Sequence, residues 1–355
     1  MKNSSLKMET YNQFIVKKDD KIEVALIKLN QLRDEKILFV IDSEERLFGS
    51  ISDGDVRRAL LEKKSIELKV EEICQENPKF LIEKRIDFQK IVSFKKDGIL
   101  VIPVLDENRL IKRIINFNNL KSYLPIDAVL MAGGRGKRLS PLTDSIPKPM
   151  LPLGEKPIIR NYVDRLKNYG IENFWFCVNY LSEQIKEHFG YGENGVRFNY
   201  VNEKKSLGTV GAVSEIKNFC NDHILISNSD LVTNLNFEDF YFDFLKNRSD
   251  MSVVTIPYEV KIPYGILESK KNKIKNIIEK PSYTYFSNAG IYLIKKQLLS
   301  QLKHGSFLNA TDLIKILIKN NNNVSSYPFT GYWMDIGNPQ DYKKAKYDVK
   351  NKIIR

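Results

Sequence analysis

From Ile126 onward, short apolar runs alternate with amphipathic stretches. "IDAVLM", "NFWFCVN" and "HILISN" read as buried strands, and "PIIRNYVDRLKNYG" as a helix whose Ile159, Val163 and Leu166 share a face. Gly170 is placed to end that helix. Strands that alternate with helices predict a three-layer α/β/α, Rossmann-like domain with a mainly parallel sheet. Ligands of such sheets lie beyond the carboxyl ends of the strands. There, after the first strand, the chain reads "AGGRGKRL" and continues to "PKP".

That loop gathers Gly133, Gly134, Gly136, Lys137 and Arg138, with Lys148 following between two prolines. A P-loop would need Ser or Thr after the Gly-Lys pair, where Arg138 stands, and a dinucleotide fingerprint would need a third glycine where Leu139 stands. Neither motif fits. The physical elements of an anion site remain, since glycines let backbone N–H groups approach a phosphate and cations stand behind them.

At 355 residues the chain exceeds one typical domain. Its net charge of +12 favours anionic ligands in general, nucleic acid included, and Lys and Arg spread along the chain are more often a solvated surface than a nucleic-acid groove. Cys74, Cys177 and Cys220 are far apart, which argues against a disulfide framework or a zinc site. The amino terminus has no apolar signal region and no run is long enough for a membrane span, so a cytoplasmic protein is expected.

Residues up to about 120 contain one unit written twice. The first copy holds a helix with Ile22, Leu26 and Leu29, two short strands joined by an acidic turn, and a second helix; the second copy repeats strand, acidic turn, strand through "ILVIPVLDENRLIKRIINF". This third of the chain resembles a tandem pair of CBS modules, a smaller α+β regulatory domain. The resemblance implies one adenosine- or guanosine-type nucleotide site at Ser52 and Asp55 in "GSISDGD", whereas Asn116 and Asn119 stand at the second copy's positions. Asp55 is equally suited to starting a helix. The expected layout is a tandem unit over residues 1–120, a linker over 121–125 and a second domain over 126–355.

Four further segments carry chemistry. "EKKSLGTVGAV" puts Gly208, Thr209 and Gly211 at the start of a helix, where free N–H groups and small side chains can admit a flat base or sugar. "LISNSD" ends an apolar strand on Asp230, "IIEKPS" carries Glu279 and Lys280, and "GYWMDIGNP" carries Asp335. In this order, the loop and the four segments resemble the nucleotide-sugar pyrophosphorylases, sugar-phosphate nucleotidyltransferases, over residues 126 to about 343.

The resemblance implies that Gly133, Gly134, Gly136 and Arg138 grip the phosphates of a nucleoside triphosphate, with Lys148 on the sugar phosphate or the α-phosphate. It implies Mg²⁺ held by Asp230 and Asp335, sugar hydroxyls on Glu279, the sugar phosphate on Lys280, and Asn288 of "NAGIY" in the sugar pocket. Two positions depart from the family pattern: Lys137 replaces a threonine and Ser229 a glycine. Glu203 lies where the family meets the base. A carboxylate accepts from the adjacent N1–H and N2 amino groups of guanine, which favours GTP.

Tandem modules before such a domain resemble the glucosamine-1-phosphate guanylyltransferases of bacterial legionaminic acid synthesis. A mannose- or heptose-1-phosphate guanylyltransferase shares most of these motifs. A nucleotide sensor with a silent catalytic domain, or a glycosyltransferase, is the reading outside this class; retention of Asp230, Asp335 and Lys148 opposes silence, and "SNSD" lacks the D-x-D pair of a glycosyltransferase. A homo-oligomer, most simply a C2 dimer, is expected.

Overall fold

A computed structural model describes residues 11–32 and 35–353. The chain divides into two compact units. One takes the described residues up to Pro125 with Asn168–Gly170, and the other takes Ile126–Lys167 and the chain from Ile171.

The first unit shows its duplication strand by strand. Ile15–Lys17 runs parallel to Ile37–Ile41, which pairs antiparallel with Leu47–Ser52; Leu81–Ile82 runs parallel to Val101–Leu105, which pairs antiparallel with Ile111–Asn116. Each antiparallel pair carries a register shift at the same place, at Val40/Ile41 and at Val104/Leu105. The turns match as well. Asp42 accepts from the N–H groups of Glu44 and Arg46, and Asp106 from those of Asn108 and Leu110. The first copy's helices are Ile22–Gln31, with Ile22, Ala25 and Leu29 buried, and Asp53–Leu61; the second copy's helix is Phe88–Lys96.

The second unit is built on an eight-stranded sheet in the order Gly192–Glu193, Val196–Asn202, Asn173–Val178, Ile126–Met131, His223–Asn228, Ser282–Lys295, Met251–Lys261, Val324–Pro328. The four strands from Val196–Asn202 to His223–Asn228 are parallel, as the strand–helix alternation requires. Four of the seven pairings in the sheet are parallel, the fourth being Met251–Lys261 with Val324–Pro328. Ser282–Lys295 runs antiparallel to both of its neighbours, so the sheet is mixed. That strand returns from a hairpin, Ile266–Lys270 with Lys273–Ile278, and needs no crossover helix.

Alternation along the parallel strands sends side chains to both faces. Val129, Cys177, Ile224 and Ile226 join a core with Val210, Leu313 and Leu317, while Ser227 on the other face bonds the buried Tyr162 hydroxyl at 2.8 Å. Tyr162 belongs to the expected helix, which spans Ile158–Lys167 and buries Ile159, Val163 and Leu166. No described helix is long and apolar enough to cross a membrane.

Candidate active site

Register decides which loops meet. Met131 is opposite Cys177 on one side and Asn228 on the other, and Val178 is opposite Asn202, so the four parallel strands end side by side. The chain leaving each end supplies Gly133, Asn179, Glu203 and Asp230 in neighbouring positions.

Asp230 and Asp335 are joined by backbone pairing. Leu231–Thr233 and Trp333–Asp335 form a two-stranded antiparallel ribbon in which Leu231 is opposite Asp335, and Ile336 N–H donates to Asp230 O at 3.3 Å. The ribbon sets the two carboxylates on one site. Ser229, which departs from the family pattern, is buried, and its hydroxyl donates to Met131 O at 2.7 Å, tying the Asp230 turn to the end of the first strand.

Lys148 enters this pair from a short 3-10 turn, Lys148–Met150, between Pro147 and Pro149. Its ammonium bonds Asp230 Oδ2 directly and lies 3.4 Å from Asp335 Oδ1. The three side chains are unequally covered, with 12% of Lys148, 19% of Asp230 and 38% of Asp335 exposed. Burial pushes the Asp230 carboxyl up, with Lys148 pulling against it and Asp335 adding to it. Asp230 Oδ1 is buried without a hydrogen-bond partner.

Such an orphaned hard oxygen beside a second carboxylate suits a magnesium-type ion. Among the described residues no three His, Cys, Asp or Glu side chains cluster for a metal. Asp230 and Asp335 could therefore hold an ion whose remaining positions go to phosphate oxygens and water.

The glycine loop folds against Lys148. Gly136 has φ +62° and begins the 3-10 turn Lys137–Leu139, and its carbonyl accepts from Thr143 Oγ1 at 2.9 Å. A Cβ there would lie 3.0 Å from Lys148 Cβ. Lys137 and Arg138 are exposed, with the Arg138 guanidinium over Gly337, two residues past Asp335. Gly134 has open space around it.

Glu203 turns inward. Its Oε2 accepts from Leu207 N–H at 3.0 Å, Asn179 Nδ2 donates to its carbonyl at 2.7 Å, and Oε1 faces Gly133. Burial pushes its carboxyl up. One oxygen thus has an acceptor role already, and capture of both guanine donors requires Oε2 to serve two N–H groups.

Three of the expected ligand contacts are engaged within the protein. The helix at Gly208 spans only Gly208–Gly211, and the N–H groups of Val210 and Gly211 both donate to Leu308 O, at 3.0 and 3.1 Å. Thr209 Oγ1 accepts from Ala310 N–H at 2.7 Å, at the start of the helix Ala310–Lys319. These groups fasten a neighbouring loop rather than standing free for a ligand. Asn288 is likewise engaged, donating to the Tyr292 hydroxyl at 2.8 Å and accepting from Gly290 N–H at 2.9 Å.

The third concerns the tandem unit. Asp55 is 6% exposed, and its Oδ2 accepts from Ser52 N–H at 2.8 Å and the Ser52 hydroxyl at 2.6 Å. Its Oδ1 accepts from Arg58 at 2.5 Å and Gln75 at 3.1 Å. Ser52 and Asp55 form the capping box of the helix Asp53–Leu61, so both carboxylate oxygens already accept hydrogen bonds within the protein.

Glu279 and Lys280 stand 3.9 Å apart and 69% exposed, with Glu279 against Gly265. They follow the Lys273–Ile278 strand. Sequence reasoning missed Asn179, Thr143 and Asn228, whose amide lies against Gly290. Isolated Asn and Thr after a strand or in a turn carry no signal of their own.

The chain is similar to several known proteins. Against a bifunctional protein GlmU of Methanococcus maripaludis the chain is 32% identical over 239 residues, covering 64% of this chain and 56% of that protein. The chain spans just over half the length of these relatives. A mannose-1-phosphate guanyltransferase beta-B of Xenopus laevis is 27% identical over 61% of this chain and 62% of its own length. Among solved structures, HddC from Yersinia pseudotuberculosis matches at 25% identity and TM-score 0.50, over 63% of this chain and 99% of its own. A putative glucose-1-phosphate thymidylyltransferase from Bacillus anthracis, at 24% identity and TM-score 0.51 over 64% and 96%, shares the fold. With residues 127–352 matching the family as a whole, the chain belongs to the nucleotidyl transferase family.

Proposed function

We propose that this chain condenses a sugar 1-phosphate with a nucleoside triphosphate, giving a nucleotide sugar and pyrophosphate. The observation that carries the reading is Lys148 seated between Asp230 and Asp335 beside the glycine loop. Two anions must meet for this reaction, and that cluster is where their charge can be neutralised.

Chemically, an oxygen of the sugar 1-phosphate attacks the α-phosphorus, the bond from that phosphorus to the bridging oxygen breaks, and pyrophosphate leaves with the bond's electrons. The attacking oxygen is already an anion, so no protein nucleophile or base is needed. The glycine loop and Arg138 hold the triphosphate, and Lys148 screens the approaching phosphate. Mg²⁺ on Asp230 and Asp335 supplies further charge neutralisation when bound. Orientation supplies the rest, by holding oxygen, phosphorus and leaving group in line.

For the base we propose guanine, read by Glu203, and for the sugar glucosamine 1-phosphate. The guanyltransferase relative from Xenopus laevis supports the base, and it also supports mannose 1-phosphate as the second sugar reading. Incubating the protein with Mg²⁺, each of four nucleoside triphosphates and a panel of sugar 1-phosphates, while following pyrophosphate release, tests both. GTP with glucosamine 1-phosphate is expected to give the fastest release. Release with no pair would support a silent sensor domain instead.

A further inference from the structure

Lys148 occupies the space between Asp230 and Asp335. Its ammonium bonds one oxygen of Asp230 and approaches one of Asp335, while Asp230 Oδ1 stays buried without a partner. The stem is held in place by the flanking prolines and by Gly136, which packs on its Cβ. Rotations near the end of the side chain are the freedom left to it.

We propose that Lys148 is a resident counter-cation, which closes the Asp230–Asp335 pair to a free divalent ion and moves to a phosphate only when a nucleotide arrives with that ion. The proposal rests on the assignment of these aspartates as the metal pair. An ammonium and a divalent ion cannot occupy the same two carboxylates without strong repulsion. Nor can the ammonium leave alone, because two facing carboxylates, one mostly buried, would then lack any counter-charge. One cation must replace the other. The phosphate loop at Gly136–Arg138 lies against the Lys148 stem, so a bound triphosphate offers the ammonium a new anion within the reach of its own side chain.

Coupling of this kind makes metal and nucleotide bind together, and removing Lys148 uncouples them. Mn²⁺ binding to nucleotide-free, full-length protein, followed by the electron paramagnetic resonance signal of the free ion, is the direct readout. If the pair is open only a small fraction of the time, Lys148→Met should bind one Mn²⁺ per chain at least about tenfold more tightly than wild type. Adding Asp230→Asn to Lys148→Met should abolish that site. Lys148→Gln serves as a second variant, with circular dichroism confirming that each is folded. Wild-type protein binding Mn²⁺ as tightly as the folded Met and Gln variants would overturn the proposal. No turnover enters this measurement, so failure of the pyrophosphate panel would count against the proposed reaction alone.

Discussion

Glu203 turns Oε1 onto the backbone of Gly133, so closely that a Cβ on Gly133 would lie 2.9 Å from that oxygen. The glycine therefore leaves the room that the aim of the carboxylate requires. Gly133→Ala should displace the Glu203 carboxyl, the flexible end of that side chain, and weaken nucleotide binding. Calorimetric titration with a non-hydrolysable triphosphate checks this, and unchanged affinity would separate Glu203 from the nucleotide seat.

Glu203→Gln should weaken the preference for GTP over UTP and dTTP by about 1–3 kcal/mol, since the amide offers one uncharged acceptor. The same residue gives a pH signature. Burial raises its folded-state pKa above the ordinary 4.5, so its contribution to stability is fully present below that value and is lost as pH rises through the folded pKa. Gln does not titrate. In urea unfolding, the stability of wild type relative to the variant should fall as pH rises from about 4 through the shifted value.

Gly136 combines φ +62° with close contact to Lys148 and Thr143. Gly136→Ala should destabilise the protein by about 1–2 kcal/mol through the left-handed backbone, and it should slow turnover further by pushing Lys148 away from the aspartates. Thermal unfolding and pyrophosphate release measure the two effects separately. Normal turnover in a destabilised variant would mean that the loop does not position Lys148.

Asp55 is expected to act in stability alone. Asp55→Ala removes the reciprocal half of the capping box and leaves Gln75 and Arg58 without their acceptor, for a loss of about 1–3 kcal/mol. Scanning calorimetry should show the loss, while titrations with AMP, ATP and GTP should give the same heats as wild type. A nucleotide whose binding disappears with Asp55 would support the ribose reading.

The alternation of strands and helices after Ile126 made the parallel half of the sheet legible, because its apolar runs alternate with helical stretches. The antiparallel strand Ser282–Lys295 was not legible, because half of it is exposed and lacks a buried strand's apolar run. In the site, Lys148, Asp230 and Asp335 could be named from motif order, but their contact depends on the ribbon register that sets Leu231 opposite Asp335. The internal bonds of Thr209 and Asn288 were not legible: their residue types suit ligand contacts, while Thr209 accepts from Ala310 far along the chain and Asn288 donates to Tyr292 on its own strand.

The central claim is attack of a sugar phosphate oxygen on the α-phosphorus at the Asp230–Lys148–Asp335 cluster. Glucosamine 1-phosphate labelled with ¹⁸O in its phosphate, incubated with GTP and Mg²⁺ and resolved by mass spectrometry, follows the bond directly. All of the label should appear in the nucleotide sugar and none in the pyrophosphate, with Asp230→Asn slowing product formation on the order of 10² or more. Label in the pyrophosphate, or undiminished turnover in Asp230→Asn, would contradict the account.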